Sequence, residues 1–181
     1  MANETDFLKT AVRLIPSGRG RPARGDLHRA VSSAYYHLFH LLTREAARLF
    51  ADDEQLIGQL ARSLSHKTLK EVSEVFRAAT VRRGQTNVQQ LPGALHGAWL
   101  SRVDQDLVSD LNRVADALIR LQRARHDADY NLINDVVKAD ATAAVSLAEE
   151  ASAIVGRIRD REIFRLYVGC FFCGETWQRD R

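Results

Sequence analysis

Val103, Leu107, Leu111, Val114, Leu118 and Leu121 step along the chain by three or four positions. That is the period of an α-helix burying one face, whereas a strand would send alternate members of the row to opposite sides. Rows of the same period recur before and after this one. A chain built this way folds by packing several amphipathic helices together. Its 181 residues, 45% of them hydrophobic, are enough for one core without disulfide or metal staples. The expectation is an all-α fold, an up-and-down bundle of roughly four to five helices.

Phe7, Ala11, Leu14 and Ile15 mark a short helix over 6–15, stopped by Pro16-Ser-Gly-Arg-Gly-Arg-Pro22. Between positions 13 and 29 stand Arg13, Arg19, Arg21, Arg24 and Arg29 against the acid Asp26. Such a segment can contact phosphates through paired hydrogen bonds, or serve as a solvated connector. Asp26 reads as the N-cap of a long helix running to about Ala51. Val31, Ala34, Tyr35, Leu38, Leu41, Leu42 and Leu49 supply its core face. Ser32, Tyr36 and His40 recur at intervals of four and form a second stripe, polar but uncharged. That stripe suits the wall of a half-buried groove; the plainer alternative is a set of interhelical hydrogen bonds.

Asp52, Asp53 and Glu54 stand at the start of a short helix carrying Leu56, Ile57, Leu60 and Leu64. Ser65 caps the next helix, with Leu69, Val72, Val75 and Phe76 on its apolar face. His66 opens that helix, where the dipole disfavours a protonated imidazole. Residues 77–97, with Arg82-Arg83-Gly84 and Pro92-Gly93, read as a long polar loop. The helix of the opening row spans Ser101 to about His126 and ends in Arg120, Arg123, Arg125 and His126, cations that suit a helix C-terminus. Asp127-Ala-Asp129-Tyr130-Asn131 breaks its pattern.

From Asp135 or Lys138 a third long helix, with an alanine-rich face, extends to about Val168. Arg157, Arg159, Arg161 and Arg165 alternate with Asp160 and Glu162 near its end, as on a solvated surface. The division expected is a helical domain over 1–168 and an apolar tail over 169–181 that docks onto the bundle or a partner. Cys170 and Cys173 make one Cys-x-x-Cys, half the ligand set of a structural zinc, so no metal or other cofactor is expected.

No apolar run is long enough to span a membrane, and the N-terminus lacks a secretory pattern. With only two cysteines, a reducing cytoplasmic location is expected. The formal net charge of +3 says little about partners by itself. The placement of the arginines says more.

Two stretches carry the candidate chemistry: Arg29-Ala-Val-Ser-Ser-Ala-Tyr35-Tyr36-His37-Leu-Phe-His40 and Arg120-Leu-Gln-Arg123-Ala-Arg125-His126-Asp127-Ala-Asp129-Tyr130. Between them lies Ser65-His66-Lys67, followed by Phe76. In this order, from about Asp26 to about Ile158, they resemble the HEPN family (higher eukaryotes and prokaryotes nucleotide-binding). That family comprises small helical bundles and includes many RNA-cleaving toxins. The resemblance implies metal-independent RNA cleavage, with a ribose 2′-hydroxyl attacking the adjacent phosphate. Histidine moves protons and arginine holds the charge of the transition state.

Catalytic members place a histidine a short spacer after an arginine, with a polar residue next to the arginine. Arg120 with His126 is one fit; six positions are about 600° of helix, roughly 120° from facing, unless the helix ends between them. The other fit starts at Arg125, with His126 beside it and Tyr130 at the histidine position. It follows the Ala-Asp-Tyr landmark and is preferred.

The resemblance thus implies catalytic roles for Arg125, His126, Tyr130 and Arg120, and substrate contacts from Tyr36, His40, Arg29 and Asp129. It also implies a homodimer, with an antitoxin or a nucleotidyltransferase as partner. The function expected is a toxin-type endoribonuclease, or else a non-catalytic module that binds RNA, a nucleotide or a protein partner.

Overall fold

The computed structural model describes residues 4–16, 22–82, 85–87, 105–130 and 135–173. Among these, seven α-helices account for most of the chain: α1 Glu4–Leu14, α2 Arg24–Ala47, α3 Glu54–Ser63, α4 His66–Arg77, α5 Gln105–Tyr130, α6 Lys138–Ile158 and α7 Glu162–Gly169. A 3₁₀ turn over Cys170–Cys173 follows α7. The expected all-helical class is what the chain adopts. No described helix is long and apolar enough to cross a membrane.

Several boundaries differ from expectation. Asp26 is not the N-cap of α2: the helix starts at Arg24, and Asp26 lies in its first turn, where a carboxylate still complements the exposed N–H groups. The helix also closes earlier, at Ala47. The expected break does not occur over 127–130, because α5 continues through Tyr130; Asn131 lies outside the described residues. The single helix expected to reach Val168 is divided by a turn at Arg159–Arg161 into α6 and α7. Within the expected polar loop, strands β1 (Thr80–Arg82) and β2 (Gln85–Asn87) pair antiparallel, Val81 opposite Thr86. The start of that loop is the end of α4, whereas its positions 83, 84 and 88–97 and the arginines at 19 and 21 lie outside the described residues.

The described residues fall into two compact units, Met1–Leu41 with Ala117–Ala153 and Leu42–Asp116 with Ile154–Arg181. In the first, α2 buries Ala30, Val31, Ala34, Tyr35 and Leu38, while α5 buries Leu118 and Leu121. Ala141, Ala144, Ala148 and Ala151 line the buried face of α6, small side chains that let helix backbones approach closely. His37 is 3% exposed, yet both its nitrogens are engaged: Nδ1 donates to the Glu4 carbonyl and Nε2 meets the Ser152 hydroxyl, each at 2.7 Å. A buried imidazole is tolerated because it joins α1 and α6 to α2.

In the second unit, Asp53 and Ser65 cap α3 and α4, accepting from the amides of Leu56 at 2.9 Å and Thr68 at 3.1 Å. The Ser65 cap is as expected. The core gathers Leu69, Val72 and Phe76 with Leu111, Phe164, Tyr167 and Phe171. The Tyr167 hydroxyl donates to Ser73 Oγ at 2.7 Å, and Ser73 in turn donates to the Leu69 carbonyl at 2.6 Å. Cys170 and Phe171 are buried, so the start of the expected tail belongs to this core.

Candidate functional site

Arg125 organises the polar cluster of the first unit. It lies inside α5 rather than at its end, so its partners can come from the following turn. Asp129, four positions on, brings Oδ2 within 2.7 Å of Arg125 Nε. The pair is close but not linear, and Nε donates no aligned hydrogen bond. Ser32 on α2 donates to the other Asp129 oxygen at 2.7 Å. One carboxylate thereby joins the serine of the α2 stripe to the arginine of α5.

Aromatic rings surround the guanidinium. Its carbon lies 5.5 Å from the Tyr36 ring centre, 5.9 Å from Tyr130 and 6.0 Å from Tyr35. These are cation–π distances. Burial acts to lower the Arg125 pKa, but Tyr36, Asp129 and Tyr130 outweigh it and hold the group above its ordinary value. Burial also raises the Tyr35 phenol; the Arg125 charge opposes that rise and Tyr36 adds to it. Tyr35 is 1% exposed and forms the floor of the cluster, whereas Tyr130 is 66% exposed and stands at its rim. His126, also exposed, has its ring 5.1 Å from that of Tyr130.

On α2, Tyr36 and His40 are half-buried, as expected of a groove wall. Phe7 of α1 stacks on His40 at 5.0 Å with 21° between the planes, and lies 6.0 Å from Tyr36. The ring row Tyr36–His40 is therefore partly covered from within the chain. About two turns earlier on α2, His28 donates from Nδ1 to the Ala128 carbonyl at 2.5 Å, a further tie between α2 and the last turn of α5.

Of the residues singled out from the sequence, the structure brings together Arg125, Asp129, Tyr130, His126 and Tyr36, with His40 adjacent through Tyr36 at 6.1 Å. It separates Arg120. α5 is unbroken through this stretch, and Arg120 and Arg125 enter different surroundings. Arg120 lines a different cavity, with Asp127 and Asp140. The same continuity removes the condition under which Arg120 and His126 could share a face. Arg29 is exposed and makes no ion pair among the described residues.

The sequence reading missed Phe7, Tyr35 and the Ser32–Asp129 link as parts of this cluster. The interval Arg125 to Asp129 was a usable signal, since four positions suit an ion pair wherever the helix persists. Phe7 carried none, because helix periodicity assigns it only to a core face. Among the described residues no group of His, Cys, Asp and Glu side chains is gathered as metal ligands would be. Compared with models of protein families, with curated proteins and with solved structures, the chain shows no match.

Proposed function

We propose that this chain is a HEPN-like helical bundle that binds RNA or a nucleotide at the Arg125 face. The observation that carries the reading is a guanidinium set among the rings of Tyr35, Tyr36 and Tyr130 and held by Asp129. Such a cation is already oriented and partly desolvated, which strengthens its attraction for a phosphate oxygen. The exposed faces of Tyr130 and His126 offer stacking surfaces for unpaired bases. A phosphate competes with Asp129 for the guanidinium, so the proposed contact weakens as salt rises.

A second reading, favoured by His126 next to Arg125 in the chain and against the Tyr130 ring, is metal-independent endoribonuclease activity of the toxin type. In it the 2′-oxygen bonds to phosphorus while the P–O5′ bond breaks, leaving a 2′,3′-cyclic phosphate and a 5′-hydroxyl. His126 takes or returns the proton and Arg125 holds the charge on phosphorus. Against the pattern, Tyr130 occupies the position where catalytic relatives carry histidine, and a phenol is a weak base near neutral pH. Association with a second copy, an antitoxin or a nucleotidyltransferase belongs to the same proposal; the mass of the purified protein in solution tests the first of these.

The deciding experiment incubates the protein and an Arg125→Ala/His126→Ala variant with labelled structured RNA in EDTA, and measures binding on the same samples. Binding that falls by about tenfold or more in the variant, matching the loss of one charge-assisted contact, supports the site. Cyclic phosphate ends produced by the unmodified protein alone establish the second reading. RNA and nucleotides that bind neither protein overturn both.

A further inference from the structure

A cavity of about 320 Å³ opens in the first unit, on a different side of α5 from Arg125. Its floor is apolar, built by Val31, Leu121 and Leu147. Its rim is charged: Arg120 and Asp127 from α5, Asp135 from the segment before α6, and Asp140 from the first turn of α6. This volume sits at the small end of ligand pockets and fits a compact metabolite better than a polymer.

The charge balance of the rim selects the sign of the ligand. Asp135 is paired with Arg24 at 2.8 Å, so those two charges offset one another. Asp140 accepts the amide of Val137 at 3.0 Å through Oδ2 at the start of α6, and has no cationic side-chain partner among the described residues. Asp127 is exposed and has no ion-pair or hydrogen-bond partner among the described residues. Arg120 is the one cation among the lining residues, which include three carboxylates. The rim is thus net negative above an apolar floor.

We infer that this cavity is a second ligand site, and that it takes a small organic cation: a primary amine or amidine on a compact apolar body. The body replaces water against Val31, Leu121 and Leu147, while the ammonium stands at Asp127 and Asp140. The site is independent of the Arg125 cluster and of any activity toward RNA.

The test uses the full chain and three probes of nearly one shape: 2-phenylethylamine, 2-phenylethanol and phenylacetate, titrated by calorimetry or ligand-observed NMR. The amine is expected to bind about tenfold more tightly than the alcohol, with the carboxylate weakest. Asp127→Asn should reduce amine affinity by about tenfold and leave the alcohol unchanged. Ala143 lines the cavity yet is exposed, so Ala143→Phe fills the space without invading the core and should abolish binding of all three. Binding of phenylacetate equal to or tighter than that of the amine overturns the inferred sign. Amine binding untouched by Ala143→Phe, or no saturable amine binding at all, overturns the site.

Discussion

Tyr130 is where the cluster is most open and where a single substitution asks the sharpest question. At 66% exposure it contributes little to the core, so Tyr130→His should change stability by no more than about 0.5 kcal/mol. On the proposed HEPN-like reading it installs an imidazole at the expected histidine position, five residues from Arg125 and beside His126. The expected outcome is EDTA-resistant RNA cleavage that exceeds that of the unmodified chain. An inactive but RNA-binding Tyr130→His protein would show that the phenol is not the feature that limits cleavage at the proposed site. Asp129 matters at the same scale. Its carboxylate is shared between Arg125 and Ser32, which fixes the guanidinium in place before any ligand arrives.

Helix α6 illustrates how an element can be improved without touching the site. Gly156 lies within it, exposed, and a Cβ added there would meet no other atom within 4 Å. Glycine in a helix interior carries an entropic penalty that alanine does not. Gly156→Ala should therefore stabilise the protein by about 0.5 to 1 kcal/mol, seen as a higher denaturation midpoint at unchanged slope. Continuity of α5 is the element-level feature that most affects function. Had it ended before Asp127, Arg125 would lose its ion-pair partner in the next turn, and Arg120 could approach His126. Its persistence separates these arginines and gives each a different neighbourhood.

Across the whole molecule, each unit holds phenols or thiols that folding keeps neutral. Burial raises Tyr35 in the first unit and Tyr167 in the second, the Ser73 hydrogen bond opposing the latter rise. Burial, with Cys173 adding to it, pushes Cys170 from an ordinary 9.0 up to about 12. For acids with raised folded pKa values, the unfolded chain releases protons first, so stability is intact at lower pH and falls as pH climbs past the ordinary values. Denaturant titrations should show a plateau up to about pH 8 and then a loss approaching 1.4 kcal/mol per pH unit for each group. Cys170→Ala should flatten the part of that slope that begins near the ordinary thiol value of 9.0. In the native state the Cys170 thiol should also resist alkylation at neutral pH, since burial denies it the thiolate form.

What the sequence determined by itself was what local rules govern. Apolar spacing announced the helices, because a buried face must recur with the helix period. Ser65 announced its cap, because an amide left unpaired at a helix start takes the nearest side-chain oxygen. The half-buried stripe of Ser32, Tyr36 and His40 was visible for the same reason. Tertiary structure decided the rest. Whether α5 ends near His126 or reaches Tyr130 depends on the partners its last turn finds, His28 on the Ala128 carbonyl and Ser32 on Asp129, both supplied by α2 from far away in the chain. The stacking of Phe7 on His40, the grouping of three tyrosines around one arginine and the cavity beneath Arg120 likewise require side chains from separate helices. Periodicity states which face of a helix is buried; only packing states what that face meets.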